Sequence, residues 1–293
     1  MSEQQEKPKR QTPEGEVEWS FDFAKLGDSI KDMANSLAGE EEVQESQFTV
    51  SKAGVTSARV KVNFAAGKNN LFALDSGSAN LLDANLKHVG EIEFTEDGDE
   101  TKSVTIKQKN KVKDIATPIK QGLRMVANSK DIEWNIQLTP DVPLSLDVNG
   151  GVGPTKVDMT GLNVRNLKLD AGVGQFTVIL PQQDGEIDLD MNTGVGETKI
   201  YLPENVNANV DIKAGVGSVN VTIPPNAAIQ IRANNGIGSV HVPKSLRKMS
   251  KQGDFIETGG MWQSEGFDLA ERRIVIRYNG GVGSFHVREA ELM

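Results

Sequence analysis

Three histidines are the side chains of this sequence best suited to bind a metal ion. They are His88, His241 and His286, and the chain contains no cysteine. His241 and His286 each lie five residues after the first glycine of a Gly-Val-Gly or Gly-Ile-Gly motif, so equivalent strands would carry both on one outward face. Adjacent strands would let the two imidazoles bind a metal ion weakly, whereas separated strands would make both ordinary exposed positions. We predict no metal and no cofactor.

Aspartates at a shared position are the candidates for acid–base chemistry. Asp147, Asp190 and Asp211 each lie four residues before the first glycine of a motif, but Lys168 and Arg232 hold the same position elsewhere. Glycoside hydrolysis needs two carboxyl groups at a defined separation, and alternation with cations favours a solvated face instead. We therefore predict that the protein is not an enzyme. A carbohydrate-active β-helix enzyme stays open as an alternative by analogy of fold alone.

The charge of the chain argues against nucleic acid as a partner. The 293 residues include 41 acidic and 32 basic side chains, a net charge of -9, and general nucleic-acid binders are basic. Residues 102–130 are the exception, with eight basic side chains and one acidic. They either face an anionic polymer or lipid, or they protect an edge strand against aggregation. We favour the protection of an edge strand.

The N-terminal residues divide into three parts. We expect a disordered polar tail over 1–19, an amphipathic helix over 20–39 and an acidic linker over 40–49. Apolar residues in the second part recur at spacings of three and four, which predicts one face of a helix. They are the candidate docking residues Phe23, Leu26, Ile30, Met33 and Leu37. This face either packs on the body of the protein or binds a partner or a membrane surface.

From residue 50 onward the sequence predicts β-strands. Residues 50–140 alternate apolar and polar side chains between turns, which indicates an N-terminal β region. Residues 141–293 carry a glycine motif whose first glycines are separated by 21, 22, 21, 21 and 45 residues. The long interval contains residues 244–270, which do not match the repeat and form either an irregular coil, a long loop or a local cap. Stacked repeats bury a continuous apolar column, so we predict an all-β fold, a parallel β-solenoid with two short strands per coil of about 21 residues.

The paired glycines are predicted to form the corners of the coils. Glycine tolerates positive φ and close approach of another backbone, and we expect the valine between the glycines to point into the core. The predicted structural corners are Gly151, Gly153, Gly172, Gly174, Gly194, Gly196, Gly215, Gly217, Gly236, Gly238, Gly281 and Gly283.

These repeats resemble a known type of bacterial domain. LDAGVGQFTVILP, NTGVGETKIYLP and KAGVGSVNVTIP are similar to the toast-rack domain, to the β-helical part of LiaF-like proteins of the cell-envelope stress response, and to adhesin-like repeats. SARVKVNFAAGKNNLFAL resembles the start of the same domain, and the resemblance covers about residues 50–293. It implies a right-handed β-helix, often attached to membrane segments, with no catalytic residues to carry over.

We therefore expect a non-catalytic binding or assembly module of a bacterial envelope-stress or surface-associated system. Its partner would be another protein, at the membrane or free of it, or a second copy of the chain. The first residues lack a secretory h-region, and no stretch is apolar enough for a transmembrane helix. We accordingly expect a cytoplasmic protein, peripheral to the membrane if it reaches one. A self-assembling β-solenoid scaffold is the second hypothesis.

Overall fold

The fold is all-β. A computed structural model describes residues 43–109, 132–250 and 258–291, and their one helical element is a 3-10 turn at Phe267–Leu269. No helix in these ranges is long and apolar enough to cross a membrane. The strands are β1 (Gln44–Ser51), β2 (Ser57–Asn63), β3 (Lys68–Ala73), β4 (Asn80–His88), β5 (Ile92–Asp97), β6 (Thr101–Gln108), β7 (Glu133–Leu138), β8 (Leu144–Asn149), β9 (Thr155–Asp158), β10 (Val164–Asp170), β11 (Val173–Ile179), β12 (Glu186–Tyr201), β13 (Asn207–Ile223), β14 (Ile229–His241), β15 (Arg247–Ser250), β16 (Thr258–Gln263) and β17 (Ile274–Glu289).

Alternating side chains along each strand build one continuous core. In β12, Leu189, Met191 and Ile200 are at most 2 % exposed, whereas Asp190 and Lys199 lie on the outer surface. The same positions are buried in the neighbouring strands, because parallel pairing keeps equivalent residues side by side. Burial of these columns is the main apolar contribution to folding.

Successive repeats pair in parallel, in the register that their sequence period implies. Glu186 of β12 is opposite Asn207 of β13, and Tyr201 is opposite Thr222. We call each such unit a rung; its halves lie in two ladders of one mixed sheet. The first ladder runs β5, β6, β2, β8, β10, β12, β13, β17, β14, β16, β15. The second runs β1, β4, β7, β3, β9, β11, β12, β13, β17, β14.

The spatial order of the rungs departs from the chain order at both ends of the stack. The last strand, β17, pairs with β13 on one side and β14 on the other, so it separates two strands that follow each other in sequence. At the other end, β2 lies between β6 and β8. The chain therefore inserts a rung inside each end of the stack rather than adding rungs in order.

The segment predicted as an insertion, 244–270, forms neither a parallel coil nor a detached loop where the structure describes it. Its strands β15 and β16 pair antiparallel with each other, and β16 pairs antiparallel with Gln230–Asn235 of β14. Lys248 lies 5.0 Å from the centre of the Trp262 ring, a cation–π distance. The segment thus covers the last edge of the first ladder.

The prediction of a purely parallel sheet was too simple. The all-β class is confirmed, but antiparallel strands close both ends of the first ladder and one end of the second. Such strands complete the backbone hydrogen bonds of the outermost rungs, which an open parallel edge would leave unpaired. The predicted tail and helix over 1–39, and its residues Phe23 to Leu37, lie outside the described residues, as do 110–131.

Candidate functional site

All twelve predicted corner glycines lie where backbones of adjacent rungs meet. A Cβ atom at any of them would be 1.6 to 2.8 Å from a backbone oxygen of the neighbouring rung. The second glycine of each motif also has a positive φ, for example 140° at Gly217. The first glycine of a motif usually has no positive φ. At Gly194 only the lack of space requires glycine, because a Cβ atom would be 1.8 Å from the Gly172 oxygen.

The residues between the corner glycines point outward, so the expectation that they enter the core was wrong. Val173, Val195 and Val216 are 36 to 38 % exposed, Val282 is 41 % exposed and Ile237 is 67 % exposed. They are register neighbours along one line that begins at Val152. We call this line the valine ridge; its members in spatial order are Val152, Val173, Val195, Val216, Val282 and Ile237.

The alternation of inward and outward side chains shifts by one residue at the corner, and this shift explains why the residues of the valine ridge point outward. Met191 and Thr198 of one rung are both buried, although their residue numbers differ by seven, which is an odd number. Strict alternation would place one of them outside, so the inward and outward positions must exchange once between them. The exchange occurs at the corner, and it places Val195 at the outer apex.

The borders of the valine ridge are polar and mostly uncharged. Two columns flank it, one two residues before the first glycine and one three residues after it. Apart from Asp170, Lys213 and Glu197, they consist of amides, serines and one proline: Asn149, Asn192, Asn234, Asn279, Pro154, Gln175, Ser218, Ser239 and Ser284. An apolar line whose borders carry few charges suits apolar contact better than recognition of a charged polymer.

His241 and His286 are brought together, because β17 pairs directly with β14. The two residues are register partners, and their ring centres are 4.7 Å apart with the rings at 67°. Burial lowers the pKa of His286, and the positive charge of His241 lowers it further. The next residue of the column is Asn220. No group of three or more metal-binding side chains occurs among the described residues, so the pair supplies two ligands.

The shared aspartate column is a row of ion pairs. Lys61 Nζ is 3.0 Å from Asp147, Arg277 Nη1 is 3.0 Å from Asp211, and Lys213 Nζ is 3.9 Å from Asp190. Lys61 and the three aspartates line a shallow groove of about 490 Å³ whose lining includes no aromatic side chain. Carboxylates that alternate with cations in this way are typical of a solvated, ion-paired surface.

The first lysines of the basic segment do not lie on an edge strand, contrary to our interpretation. Lys102 and Lys107 belong to β6, which is covered by β5 on one side and β2 on the other. Lys102 and Lys107 pair with Glu96 and Glu93 of β5 at 3.0 and 2.9 Å. Lys109, one residue after β6, pairs with Glu91, one residue before β5, at 3.3 Å. The remaining residues of that segment lie outside the described part of the chain.

Sequence reasoning missed the polar groups inside the N-terminal rungs. His88 is 2 % exposed, and its Nε2 is 2.8 Å from Ser46 Oγ. Burial lowers the pKa of His88, and backbone hydrogen bonds partly oppose that shift. Trp134 and Asn69 are opposite each other on β7 and β3 and fully buried. The alternation of side chains along the strands places all three residues on the buried face. The polar side chains of His88 and Asn69, however, suggested exposure.

The fold of this protein is similar to the folds of bacterial proteins of known structure. A candidate cell adhesion protein of Clostridium sporogenes is similar in fold, with a TM-score of 0.55 and 18 % identity over 85 % of this chain and 100 % of that one. A candidate adhesin of Bacteroides fragilis covers 84 % of this chain and 97 % of its own at 14 % identity, with a TM-score of 0.31. No curated protein matches the sequence. The family described as the N-terminal domain of toast_rack, DUF2154, matches residues 39–201 and 182–243, and the chain belongs to this toast-rack family.

Proposed function

We propose that the protein is a non-catalytic binding module of a bacterial envelope-associated system, and that the valine ridge is its docking surface. The observation that supports this most directly is the line of outward apolar residues on successive rungs. Apolar side chains that are more than one third exposed on five successive rungs form a continuous patch, and such patches are typical of interaction sites.

The shape of the stack supports the same proposal. We infer that the rungs wind as one right-handed solenoid, because crossovers between parallel strands of one sheet are right-handed in almost all proteins. Rungs about 4.8 Å apart give the ridge a length of about 24 Å over five steps. A protein partner with an apolar stripe of that length fits it. We place the protein in the cytoplasm, at the membrane surface when its partner is there.

Two other functions have less support. Antiparallel strands at three ladder ends oppose the in-register addition of a second copy, which a self-assembling scaffold needs. Ion pairs along the aspartate column oppose a glycan-cleaving enzyme. The name of the solved structure of Clostridium sporogenes that is similar in fold refers to cell adhesion, which is a binding role.

The test compares binding to envelope vesicles of the host bacterium. We expect the wild type to sediment with vesicles, and the variant Val195→Asp/Val216→Asp to remain in the supernatant with an unchanged fold. The matched control is Thr177→Asp/Thr222→Asp, whose new carboxylates lie beside Lys199 and Arg288 on the adjacent ladder. Protease-shaved vesicles should lose binding. Equal sedimentation of both variants, or binding to shaved vesicles, would contradict a protein partner at the ridge.

A further inference from the structure

We infer that His241 and His286 together bind one divalent transition-metal ion, on the outer face of the second ladder where it ends with β17 and β14. The sequence made such a site conditional on adjacent strands, and the two strands are adjacent. The inference does not depend on the proposed function, because neither histidine belongs to the valine ridge.

The insertion of β17 beside β14 brings the two imidazoles to one place on the surface. His241 and His286 are register partners, with ring centres 4.7 Å apart. Phe285 and Val287, on either side of His286, are at most 5 % exposed, so alternation directs His286 away from the core. His241 is exposed as well. Both rings therefore lie where an ion from the solvent reaches them.

The separation of the rings matches that of two imidazoles that share an ion. A metal–nitrogen bond of about 2.0–2.1 Å puts the ion about 3.1 Å from the centre of each ring. Two ring centres at that distance are about 4.5 Å apart for a right angle at the ion and about 5.1 Å apart for a tetrahedral angle. The observed 4.7 Å lies between these two values.

The inclination of the rings is also suitable. An ion lies close to the plane of each imidazole that binds it, along the lone pair of the ring nitrogen. Two parallel stacked rings have planes that never meet, and they cannot share an ion in this way. The rings of His241 and His286 are inclined at 67°, so their planes intersect.

The charged side chains of the same region have other partners. Lys199, in the same column as the histidines, has its Nζ 3.1 Å from Glu197. Arg288, two residues after His286, donates from Nε to Thr222 Oγ1 at 3.2 Å. These contacts hold both cations on the β12 and β13 side of the pair, which limits their repulsion of a metal ion.

The donor atoms select the class of ion. Imidazole nitrogen suits Zn²⁺, Ni²⁺ and Cu²⁺, whereas Mg²⁺ and Ca²⁺ require oxygen ligands. Asn220 is beside His286, and its Nδ2 donates to Glu197 Oε1 at 3.2 Å, so it adds at most an amide oxygen. Two imidazoles leave the remaining coordination positions to water. The site is therefore an open one for a borderline or soft divalent ion.

An ion at this site would stabilise the end of the stack. It would join β14 to β17, two strands whose contact exists only in the assembled fold. The unfolded chain does not hold the two rings together, so the ion binds the folded state preferentially and raises its stability.

Titration calorimetry of the full chain with Zn²⁺ and with Ni²⁺ at pH 7.5 tests binding, on protein that carries no histidine tag. We expect one ion per chain, bound at least tenfold more weakly by His241→Asn and by His286→Asn. The matched control is Thr177→Asn/Lys199→Asn, which places the same new side chains in the same column on β11 and β12 and should bind as the wild type does. His88 is 2 % exposed and stays unchanged in every variant, so it contributes equally to all of them.

A second measurement follows the melting temperature with and without Zn²⁺. The ion should raise it in the wild type and in the control, and the increase should be absent in His241→Asn/His286→Asn. Equal binding or an equal increase in that double variant would overturn the inference, because the ion would then be held elsewhere. A stoichiometry of half an ion per chain, with a dimer in sedimentation, would also overturn it, since the site would lie between two copies.

Discussion

At the scale of single residues, the corner glycines are required for two distinct physical reasons. Gly217 has a φ of 140°, and a Cβ atom there would be 1.8 Å from the Gly196 oxygen. Gly161 has a φ of 80°, but a Cβ atom there would meet nothing within 4 Å. The two positions therefore separate backbone strain from the close packing of rungs.

Substitution by alanine should reveal the difference. Gly161→Ala should cost about 1–2 kcal/mol of unfolding free energy, from strain alone. Gly217→Ala should cost about 2–6 kcal/mol, because strain of about 1–3 kcal/mol and overpacking of a similar size act together. Urea denaturation of both variants checks this, and equal losses would show that the corners do not need close rung contact.

Two histidines should make the fold sensitive to acid. Burial lowers the pKa of His88 and of His286 below the ordinary value of 6.5, so the unfolded chain binds protons that the folded chain resists. Stability is then lost as the pH falls from about 6.5 through the lowered pKa values. We expect the melting temperature to decrease when the pH is lowered from 7.5 to 5.5. The decrease should be smaller in His286→Asn, a variant whose new side chain is the same as that of Asn220 on the neighbouring strand. An identical fall in the variant would contradict the role of His286.

At the scale of elements, strand alternation decides which substitutions a rung tolerates. Ile200 is fully buried on β12, whereas the adjacent Lys199 lies outside with its Nζ 3.1 Å from Glu197. The two side chains differ by one position in sequence and by a face of the sheet in space, as period two requires.

A pair of substitutions on β12 tests this register. Ile200→Asp should cost several kcal/mol or prevent folding, because a carboxylate would be buried without a partner. Lys199→Asn should change stability by about 0–1 kcal/mol, since an exposed ion pair contributes little. Circular dichroism melts measure both. Similar losses in the two variants would mean that the inward and outward faces of β12 are assigned incorrectly.

At the scale of the whole molecule, the insertion of β17 between β13 and β14 links distant parts of the chain. Tyr278 and Phe285 of β17 stack with ring centres 4.1 Å apart, and Asn235 Nδ2 of β14 donates to the Gly283 oxygen at 2.9 Å. Burial raises the pKa of Tyr278 to about 12, so its hydroxyl stays protonated and donates to Asn235 Oδ1 at 3.5 Å. The end of the stack therefore assembles around its last strand.

Removal of that strand should open two ladders at once. In a chain that ends at Glu271, the amides of Asn207–Ile223 and Ile229–His241 should exchange with solvent faster than in the full chain. Those of β8 and β10 should keep their protection, since their partners are unchanged. Hydrogen exchange with mass spectrometry measures this. Full protection of β14 in the shortened chain would show that it can pair with β13 directly.

The sequence by itself determined the features that depend on neighbours along the chain. Alternation indicated which residues of each rung are buried, such as Met191 and Ile200, and the period of about 21 residues indicated which residues lie side by side. The glycine motifs indicated where the backbones of adjacent rungs come close together. These properties are local, because side-chain direction follows backbone geometry and tight corners select glycine.

The tertiary structure alone decided the outward direction of Val195, the place of β17 and the contact between His241 and His286. The alternation of inward and outward side chains is interrupted at a corner, where three residues turn the chain. A shift of one residue there is enough to expose the valine. Rung order could not be derived from the period, because every repeat offers its neighbours the same pattern of apolar and polar residues. The choice depends on contacts between distant residues, such as Asn235 with Gly283, that form only when the stack is assembled.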